Sequence, residues 1–501
     1  MNNLTRGVVL PDWIALRSKT HAGVSAVSSS DESLSYEQLE IEVSHAAGHL
    51  LSVVEKSPGP VASLTKSGVD FAIALHSAIR ISRPILPLNT RLTVNELVWQ
   101  LQHAEVDYLL FDESNKATAE ELAVICEVRL IPISELRERS SSLVSGLRSE
   151  LLPTDPLAIV FTSGTTGNPK ATILSHRNFY WSAVASEANI GVRDSDLWLA
   201  CMPLFHVGGL SILLRSAIYG TSVTIHESFD ENLVNIALNS GAVTLLSVVP
   251  TMLERILSIQ PTKIRYPDTI RAVLLGGGPA TPELIRRGQL QGLPLLQTYG
   301  LTEVTSQVTT VPISNAFERA GSAGLPLLAA TVRLDSGDGD EPALGEPGQI
   351  LVNGATVTSG YLQEATSVSD KIKEGWLYTG DLAIRDDAGF LTIKGRSDDL
   401  IVTGGENVHP AEVEQIVESY PGVIEAAVVG LDDLEWGKKI TSVVVTEADS
   451  IVTEEELISY VRDRIAGYKV PRIWLISSDP LPRTASGKLK RYAVIDSLIN
   501  F

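Results

Sequence analysis

The sequence is poor in cysteine and contains no long apolar run. Its two cysteines, Cys126 and Cys201, lie in apolar stretches without a metal-ligating residue at useful spacing. We therefore expect both to be buried small hydrophobic residues in a reducing compartment. No window approaches about eighteen uninterrupted apolar residues, so no membrane span is predicted.

Basic residues are also scarce relative to acidic ones. Lysine and arginine number 40 against 60 aspartate and glutamate residues, which gives a net charge of -20. This balance disfavours a sequence-independent grip on nucleic acid or on an anionic membrane. A phosphate-bearing ligand must instead be captured by local groups. Residues 1–6 lack the pattern of a signal peptide, so we expect a cytoplasmic protein.

The length and composition favour a folded protein of several domains. A chain of 501 residues is too long for one hydrophobic core, and we expect two or more domains. Hydrophobic residues make up 44% and charged residues 20%, a balance that argues against disorder.

Residues 161–170, with the sequence FTSGTTGNPK, are the most informative stretch. They follow the apolar run 157–160, which is typical of a buried strand. A strand ending in such a loop brings backbone N–H groups, hydroxyls and the ammonium of Lys170 to one point, which predicts an anion site. The alternative is an ordinary hydrophilic surface loop. The stretch is not a Walker A loop, because Pro169 stands where that motif has its second glycine.

The first 320 residues alternate helix and strand patterns. We predict a helix over 35–51, strands over 106–111, 171–174 and 243–249, and a helix cap at Ser175. The apolar run 271–275 leads into a second glycine-rich loop, 276–280, followed by a cap at Thr281. Alternation of this kind predicts parallel sheets covered by helices, with ligands at the carboxyl ends of strands.

The pattern changes twice towards the carboxyl end. From about Ala320 short strands and turns predict a small β subdomain, including a hairpin closed by residues 386–389. After residues 395–399 the order strand, helix, two strands, helix and strand predicts an α+β domain of roughly a hundred residues. We expect domains over 1–396 and 397–501.

Four more segments bring reactive side chains to loops. Residues 299–303 (YGLTE) follow an apolar run, 378–381 (YTGD) place an Asp before a strand, 482–491 (PRTASGKLKR) hold a lysine in a turn, and 203–210 (PLFHVGGL) set a histidine beside two glycines. Taken singly, each has an ordinary alternative. Glu303 and Lys488 would then be solvated surface charges, and Asp381 would be a turn residue. His206 would be a hydrogen-bonded histidine of the core.

In this order, residues 161–170, 299–303, 378–381, 395–399 and 482–488 resemble the adenylate-forming superfamily of acyl-CoA synthetases, luciferases and adenylation domains. The resemblance covers nearly the whole chain. It implies an α/β fold with a large N-terminal domain of two helix-covered sheets plus a small β subdomain, and a small mobile α+β C-terminal domain. Residues 203–216, 274–280 and 299–307 further resemble the 2-succinylbenzoate-CoA ligase family of the menaquinone pathway.

The resemblance implies a two-step, AMP-forming ligation of an acid to coenzyme A with ATP and Mg²⁺. Its catalytic residues would be Lys488, Thr302, Glu303 and His206, with Glu303 as the metal ligand. Its ATP-binding residues would be Thr162, Ser163, Gly164, Thr165, Thr166, Lys170, Gly276, Gly277, Gly278, Pro279, Tyr299, Gly300, Asp381 and Arg396. The family has Gly after the loop lysine, whereas this chain has Ala171.

The same resemblance places the acid and coenzyme A. The acid would contact His206, Gly208, Gly209, Ser306 and Gln307, with its ring over the two glycines. His206 would act there or as a gate, and Arg215 is the other cationic candidate in these segments. The C-terminal domain would rotate about Asp398 and present Gly404, Gly405 and Glu406 beside the coenzyme A tunnel.

Two alternatives to this function remain. The first alternative is another acyl- or aryl-CoA ligase of the superfamily. The second is a binding protein that has the same fold but catalyses no reaction. Small molecules are the expected partners, without nucleic acid or a membrane span, and a homo-oligomer is one option.

Overall fold

The structure is a computed structural model. It describes residues 9–54, 59–138, 147–162, 169–278, 280–337, 339–363, 371–396, 399–403, 406–433, 436–447, 450–465, 467–483 and 489–499.

The first part of the chain alternates short strands with helices. Its elements are β1 (Leu10–Pro11), α1 (Trp13–Thr20), β2 (Ser25–Ser28), β3 (Ser33–Ser35), α2 (Tyr36–Val54), β4 (Val61–Leu64), α3 (Val69–Arg80), β5 (Ile85–Pro87), α4 (Val94–His103), β6 (Tyr108–Phe111), α5 (Lys116–Cys126), β7 (Arg129–Pro132), β8 (Glu150–Leu151) and β9 (Pro156–Thr162).

The alternation continues after the loop that follows β9. The elements are β10 (Lys170–Ser175), α6 (His176–Ile190), β11 (Leu197–Ala200), α7 (Val207–Tyr219), β12 (Ser222–Ile225), α8 (Glu231–Asn239), β13 (Leu245–Val248), α9 (Pro250–Ile259), β14 (Ala272–Leu275), α10 (Pro282–Leu290), β15 (Leu295–Tyr299) and β16 (Thr309–Thr310).

The remaining elements are mostly antiparallel strands. They are β17 (Leu325–Pro326), β18 (Ala330–Asp335), β19 (Gly348–Gly354), β20 (Ile372–Lys373), β21 (Trp376–Arg385), β22 (Leu391–Arg396), β23 (Ile401–Thr403), β24 (Glu406–Val408), α11 (Pro410–Glu418), β25 (Val423–Asp433), β26 (Gly437–Thr446), α12 (Glu454–Arg462), β27 (Ile473–Ser477) and α13 (Arg491–Ile499).

Two large sheets form the centre of the molecule. One has the order β10-β9-β5-β4-β6-β7, and the other has the order β17-β16-β15-β14-β13-β11-β12-β2-β3. Their inner strands are parallel, from β9 to β7 in the first sheet and from β15 to β2 in the second. This confirms the prediction of helix-covered parallel sheets, since parallel strands need crossover connections.

The hydrophobic core explains how the layers stack. Neighbouring residues of a strand enter different cores: Trp198 of β11 faces the cluster that contains helices α2, α3 and α7, whereas Leu199 faces helices α8, α9 and α10. Val61 of β4 likewise joins the first cluster and Ala62 joins the cluster with α4 and α5. Because side chains alternate across a strand, each sheet is covered on both faces, with one shared helix layer between the sheets.

Two smaller sheets follow. Strands β18, β19, β20, β21 and β22 form an antiparallel sheet with its own core, which confirms the predicted β subdomain and its hairpin between β21 and β22. Strands β23 to β27 form a second sheet, packed against α11 and α12. The boundary at residues 396 and 397 stays a prediction.

Several local predictions are confirmed in detail. The Ser175 side chain accepts a hydrogen bond from the Asn178 backbone and forms a capping box with it at the start of α6. The Thr281 side chain caps α10 by accepting a hydrogen bond from the Leu284 N–H, with Pro282 in the first turn. The helix predicted over 35–51 extends to Val54.

Two features differ from the prediction. Cys201 is buried as expected, but Cys126, the last residue of α5, is only partly buried because it lies at the edge of the outer helix layer. Helix α13 has no counterpart in the prediction. Its apolar face, which packs Val494 against the sheet, is weak, and the basic residues at 488–491 make the helix pattern difficult to recognise in the sequence.

Candidate active site

Two of the predicted nucleotide segments lie at the carboxyl ends of adjacent strands. Strands β14 and β15 are parallel neighbours, so the loop at 276–278 and the turn after Tyr299 leave the same edge of their sheet. Thr162 ends β9 in the other sheet and is paired with Lys170 across the β9–β10 hairpin. Ser163, Gly164, Thr165 and Thr166 lie outside the described residues, as does Pro279.

The glycines after β14 have different reasons to be glycine. A Cβ on Gly276 would lie 2.7 Å from Thr298 Cγ2, and one on Gly277 would lie 2.9 Å from Val249 Cγ1, where φ is also +82°. Both are therefore required by the packing of the chain itself. Nothing lies within 4 Å of a Cβ on Gly278, so its backbone faces open space. The loop at 276–278 therefore leaves space for a flat ligand lying against Gly278.

Tyr299, Asp381 and Arg396 form one connected group. The Tyr299 hydroxyl donates a 2.6 Å hydrogen bond to Asp381 Oδ2, and Arg396 Nη1 lies 3.4 Å from Asp381 Oδ1. Asp381 and Arg396 face each other in the β21–β22 register. Burial, and then the Asp381 charge, raises the pKa of Tyr299 well above its ordinary value, so the phenol stays protonated and keeps donating.

The turn after Tyr299 is unusually tight. A Cβ on Gly300 would lie only 1.4 Å from the Ser306 carbonyl oxygen. Thr305 and Ser306 both have left-handed backbone angles, with φ of 57° and 89°. Gln307 is buried and its amide nitrogen lies 3.3 Å from Thr310 Oγ1, while its Oε1 has no hydrogen-bond donor among the described residues. The turn thus brings Ser306 and Gln307 back beside residues 299–303.

Thr302 and Glu303 lie in a short 3₁₀ turn inside this loop. Glu303 is 8% exposed and accepts a 2.9 Å hydrogen bond from the Tyr361 hydroxyl on its Oε1. The Lys170 ammonium lies 4.7 Å from the centre of the same Tyr361 ring. Opposite charges from two predicted segments therefore meet on one aromatic side chain. No motif in the sequence points to Tyr361.

The carboxylate of Glu303 is chemically suited to a magnesium ion. Its second oxygen accepts no hydrogen bond from the described residues. Mg²⁺ typically takes one or two carboxylates and completes its shell with phosphate and water oxygens. In the described part of the chain no three His, Cys, Asp or Glu side chains converge, so a cation at Glu303 needs such outside ligands.

The predicted acid-site glycines are both close to other atoms of the chain. That Gly208 and Gly209 leave room for a ring stays a prediction, and a Cβ on Gly209 would lie 2.3 Å from the Pro203 carbonyl oxygen. The missing side chain at Gly209 is therefore required by close backbone packing. At Gly208 the nearest atom is Met202 Cε, at 2.8 Å, which belongs to a flexible side chain. His206 stands directly before α7, against the Phe205 ring.

Arg215 of α7 is a buried cation. It is 3% exposed, and among the described residues it forms no ion pair. Its Nη2 lies 3.2 Å from Ser182 Oγ, and Ser182 in turn donates to the Thr305 carbonyl, next to Ser306. Its Nε has no acceptor in the described part of the chain, and burial lowers the pKa of Arg215. The sequence reveals the residue type but not its burial.

The C-terminal part of the predicted site is only partly described. Lys488, Asp398, Gly404 and Gly405 lie outside the described residues, and only the backbone of Glu406 is described, in β24. The segment that contains Lys488 is bracketed by a bridge between Arg483 and Leu489. No helix among the described residues is long and apolar enough to cross a membrane.

Comparison with known proteins shows the family of the chain. The AMP-binding enzyme family matches residues 12–362, and the AMP-binding enzyme C-terminal domain matches residues 412–488. The chain is 39% identical to the 2-succinylbenzoate-CoA ligase of Bacillus licheniformis, over 96% of this chain and 98% of that one.

Two solved structures of the o-succinylbenzoate CoA synthetase MenE from Bacillus subtilis are also similar. The complex with the acyl-adenylate intermediate OSB-AMP has a TM-score of 0.90 and 34% identity, over 97% of this chain and 98% of that one. The complex with ATP and a magnesium ion has a TM-score of 0.89 and 34% identity, over 97% and 99%. The chain belongs to the AMP-binding enzyme family.

Proposed function

We propose that this protein ligates 2-succinylbenzoate to coenzyme A through an acyl-adenylate, releasing AMP and pyrophosphate. Relatives at 38% and 39% identity over 96% of the chain are 2-succinylbenzoate-CoA ligases, and a similar MenE structure holds the OSB-AMP intermediate. The site supports the nucleotide half of this chemistry through the groups around Tyr299 and Glu303.

Arg215 is the observation that carries the choice of acid. A buried arginine without a carboxylate is costly, because the charged group has lost its hydration. An acid with a second carboxylate supplies the missing partner, whereas benzoate or a fatty acid does not. Arg215 lies one hydrogen bond from Ser182 and two from the turn that contains Ser306. We infer that it meets the second carboxylate of 2-succinylbenzoate.

In the first step a carboxylate oxygen attacks the α-phosphorus of ATP and the bond to pyrophosphate breaks. Two anions must approach, so fixed cations have to offset their repulsion. Lys488 would bridge the carboxylate and the α-phosphate, Thr302 would touch the α-phosphate, and Thr162 with Lys170 would hold the outer phosphates. Tyr299 and Asp381 would hold adenine and ribose.

Glu303 would hold Mg²⁺, which supplies positive charge on the leaving pyrophosphate. The side chain meets this task because one oxygen is fixed by Tyr361 and the other is left without a described donor. Asp381 accepts a hydrogen bond from Tyr299 and forms an ion pair with Arg396. These two contacts orient the carboxylate oxygens before the ribose binds.

In the second step the thiol of coenzyme A attacks the acyl carbon and AMP leaves. We propose that residues 397–501 form a mobile domain that withdraws Lys488 for this step by rotation about Asp398. The loop with Gly404, Gly405 and Glu406 would then lie beside the thiol. Separate matches of the two family models, ending at 362 and beginning at 412, support this division.

The experiment measures thioester formation from ATP, coenzyme A and a panel of acids, with AMP release as the readout. We expect 2-succinylbenzoate to be used best, ahead of benzoate, succinate and a medium-chain fatty acid. Another preferred acid would favour the alternative of a different acyl- or aryl-CoA ligase. Absence of pyrophosphate exchange with every acid would favour a non-catalytic binding protein.

An Arg215→Met variant tests the choice of acid more sharply. The matched substrate is 4-oxo-4-phenylbutanoate, which keeps the ring and the aliphatic carboxylate but lacks the ring carboxylate. We expect wild-type protein to prefer 2-succinylbenzoate by about 10- to 100-fold, since a charge-assisted hydrogen bond contributes about 1.5–3 kcal/mol. Arg215→Met should remove this preference and leave KM for ATP unchanged. A preserved preference contradicts the role of Arg215.

A further inference from the structure

We propose that Tyr361 is a positioning residue for adenylation, which orients Glu303 toward the metal and holds Lys170 at a fixed distance from it. The proposal rests on the proposed function, because it assigns Glu303 to the cation and Lys170 to the phosphates. Its structural basis is independent of the identity of the acid, since the two contacts that carry it join Tyr361 to Glu303 and to Lys170.

Tyr361 touches both charges through different parts of one side chain. Its hydroxyl donates to Glu303 Oε1 at 2.9 Å, and its ring lies 4.7 Å from the Lys170 ammonium. The side chain is 5% exposed, so water does not compete freely for either contact. An aromatic face attracts a cation electrostatically, so this contact favours one position of the Lys170 ammonium.

Glu303 depends on this contact for its orientation. Among the described residues Tyr361 is the only donor to its carboxylate. A carboxylate has two acceptor oxygens, so one fixed hydrogen bond to Oε1 sets which way Oε2 points. Donors of this kind behind a metal ligand keep it in the binding orientation.

Backbone contacts hold Tyr361 itself in place. Tyr361 forms an isolated antiparallel bridge with Thr172 of β10, and the Leu362 N–H donates to the Ala171 carbonyl at 2.8 Å. On the other side, the Thr358 N–H donates to the Glu303 carbonyl at 2.8 Å. The segment around Tyr361 is thus joined to β10, which begins at Lys170, and to the turn that contains Glu303. The position of the ring is set by the fold before any ligand binds.

The test uses Mn²⁺ as a paramagnetic substitute for Mg²⁺. Binding of Mn²⁺ to the protein with ATP is followed by electron paramagnetic resonance, without any acid. Tyr361→Phe keeps the ring and removes only the hydroxyl, and we expect Mn²⁺ binding to weaken by about 10- to 100-fold, as for other residues that orient a metal ligand. Tyr361→Leu should in addition raise KM for ATP, because Lys170 loses the ring.

The matched control is Tyr266→Phe. Tyr266 is also buried, in the core that contains helices α8, α9 and α10, and its hydroxyl also donates to a side-chain oxygen, that of Asn235 at 2.9 Å. This variant reports the general effect of losing a buried phenol hydroxyl, and we expect wild-type Mn²⁺ binding. A second readout is thioester formation from supplied acyl-AMP, which Tyr361→Phe should leave unchanged.

The outcomes separate the two proposals. Wild-type binding of Mn²⁺ by Tyr361→Phe, or equal weakening in Tyr266→Phe, overturns the positioning role. Equal loss of adenylation and of the thioester step by Tyr361→Phe overturns it as well, since only a general structural defect affects both. Failure of the wild-type protein with every acid overturns the proposed function, yet the Mn²⁺ measurement still decides the role of Tyr361.

Discussion

The hydroxyl of Tyr299 donates a 2.6 Å hydrogen bond to the carboxylate of Asp381, which lies 82 residues later in the chain. Tyr299 ends a strand of the large parallel sheet, and Asp381 lies in the antiparallel sheet of the β subdomain. The contact therefore joins two sheets at the point where we place adenine and ribose. This hydrogen bond joins the two parts of the proposed nucleoside site.

Asp381→Ala should weaken recognition of the ribose. We expect KM for ATP to rise by about 10- to 100-fold, since hydrogen bonds to a charged group contribute about 1.5–3 kcal/mol. The variant should also lose its preference for ATP over 2′,3′-dideoxy-ATP. Tyr299→Phe should have a smaller effect, because Arg396 still contacts Asp381. A full preference for ATP in Asp381→Ala would place the ribose elsewhere.

Two glycine substitutions should behave in opposite ways. Gly300→Ala places a methyl group 1.4 Å from the Ser306 carbonyl oxygen, so the turn must rearrange and both activity and thermal stability should fall. Gly278→Ala meets nothing within 4 Å, and its unfolding midpoint should equal that of wild type. If adenine lies against Gly278, this variant should nevertheless raise KM for ATP. Unchanged ATP kinetics in a stable Gly278→Ala variant would argue against that position.

Lys488→Ala should separate the two half-reactions. Loss of one fixed cation should slow adenylation by about 10²- to 10³-fold, because repulsion between carboxylate and α-phosphate is no longer offset. Thioester formation from supplied acyl-AMP should continue, since the lysine is withdrawn in that step. Pyrophosphate exchange measures the first step and thioester appearance the second. Equal loss of both would contradict the domain rotation.

The stability of the C-terminal sheet should depend on Glu418. Burial raises the pKa of Glu418 from 4.5 to about 7, with a further contribution from Glu414, although the Ala426 N–H opposes the shift. Arg483 lowers this pKa and Glu425 raises it. The folded protein therefore holds a proton that the unfolded chain has released between these pH values. The stabilisation is complete below about pH 4.5 and is lost as pH rises through about 7.

Glu418→Gln should remove this dependence, because the amide stays neutral. We expect the variant to gain stability relative to wild type as pH rises from about 5 to about 8, by an amount on the order of a few kcal/mol. Urea unfolding at several pH values measures it. Glu455→Gln, at an exposed position of α12, is the control and should follow wild type throughout. A parallel course of Glu418→Gln and wild type would contradict the raised pKa.

Local patterns predicted much of the fold. The apolar runs that end before residues 163 and 276 form buried strands. In a stretch such as 272–275 every residue is apolar, so both faces of the strand must be covered, as they are inside a parallel sheet between helix layers. Ser175 and Thr281 cap helices because their hydroxyls meet backbone N–H groups three residues later. Such contacts depend on neighbours in the chain, and the sequence alone reveals them.

Gly209 and Arg215 show where local patterns fail. The sequence shows a glycine near a histidine, but the reason for the glycine is the Pro203 carbonyl 2.3 Å away from its Cβ position. Arg215 is one of many arginines in the sequence, and its lack of a carboxylate partner among the described residues is visible only when helices α6 and α7 are packed. Both facts concern what surrounds a residue in space.

The sequence by itself determined the chemistry of this protein: a hydroxyl- and glycine-rich loop ending in Lys170, a carboxylate at Glu303 and an Asp at 381. These depend on residue type and short spacing. Tertiary structure alone decided that Tyr361 joins Glu303 to Lys170, since Tyr361 lies 58 residues from Glu303 and no periodicity links them. The physical reason is that a side chain's partners across sheets are set by strand order and register, which long-range pairing fixes.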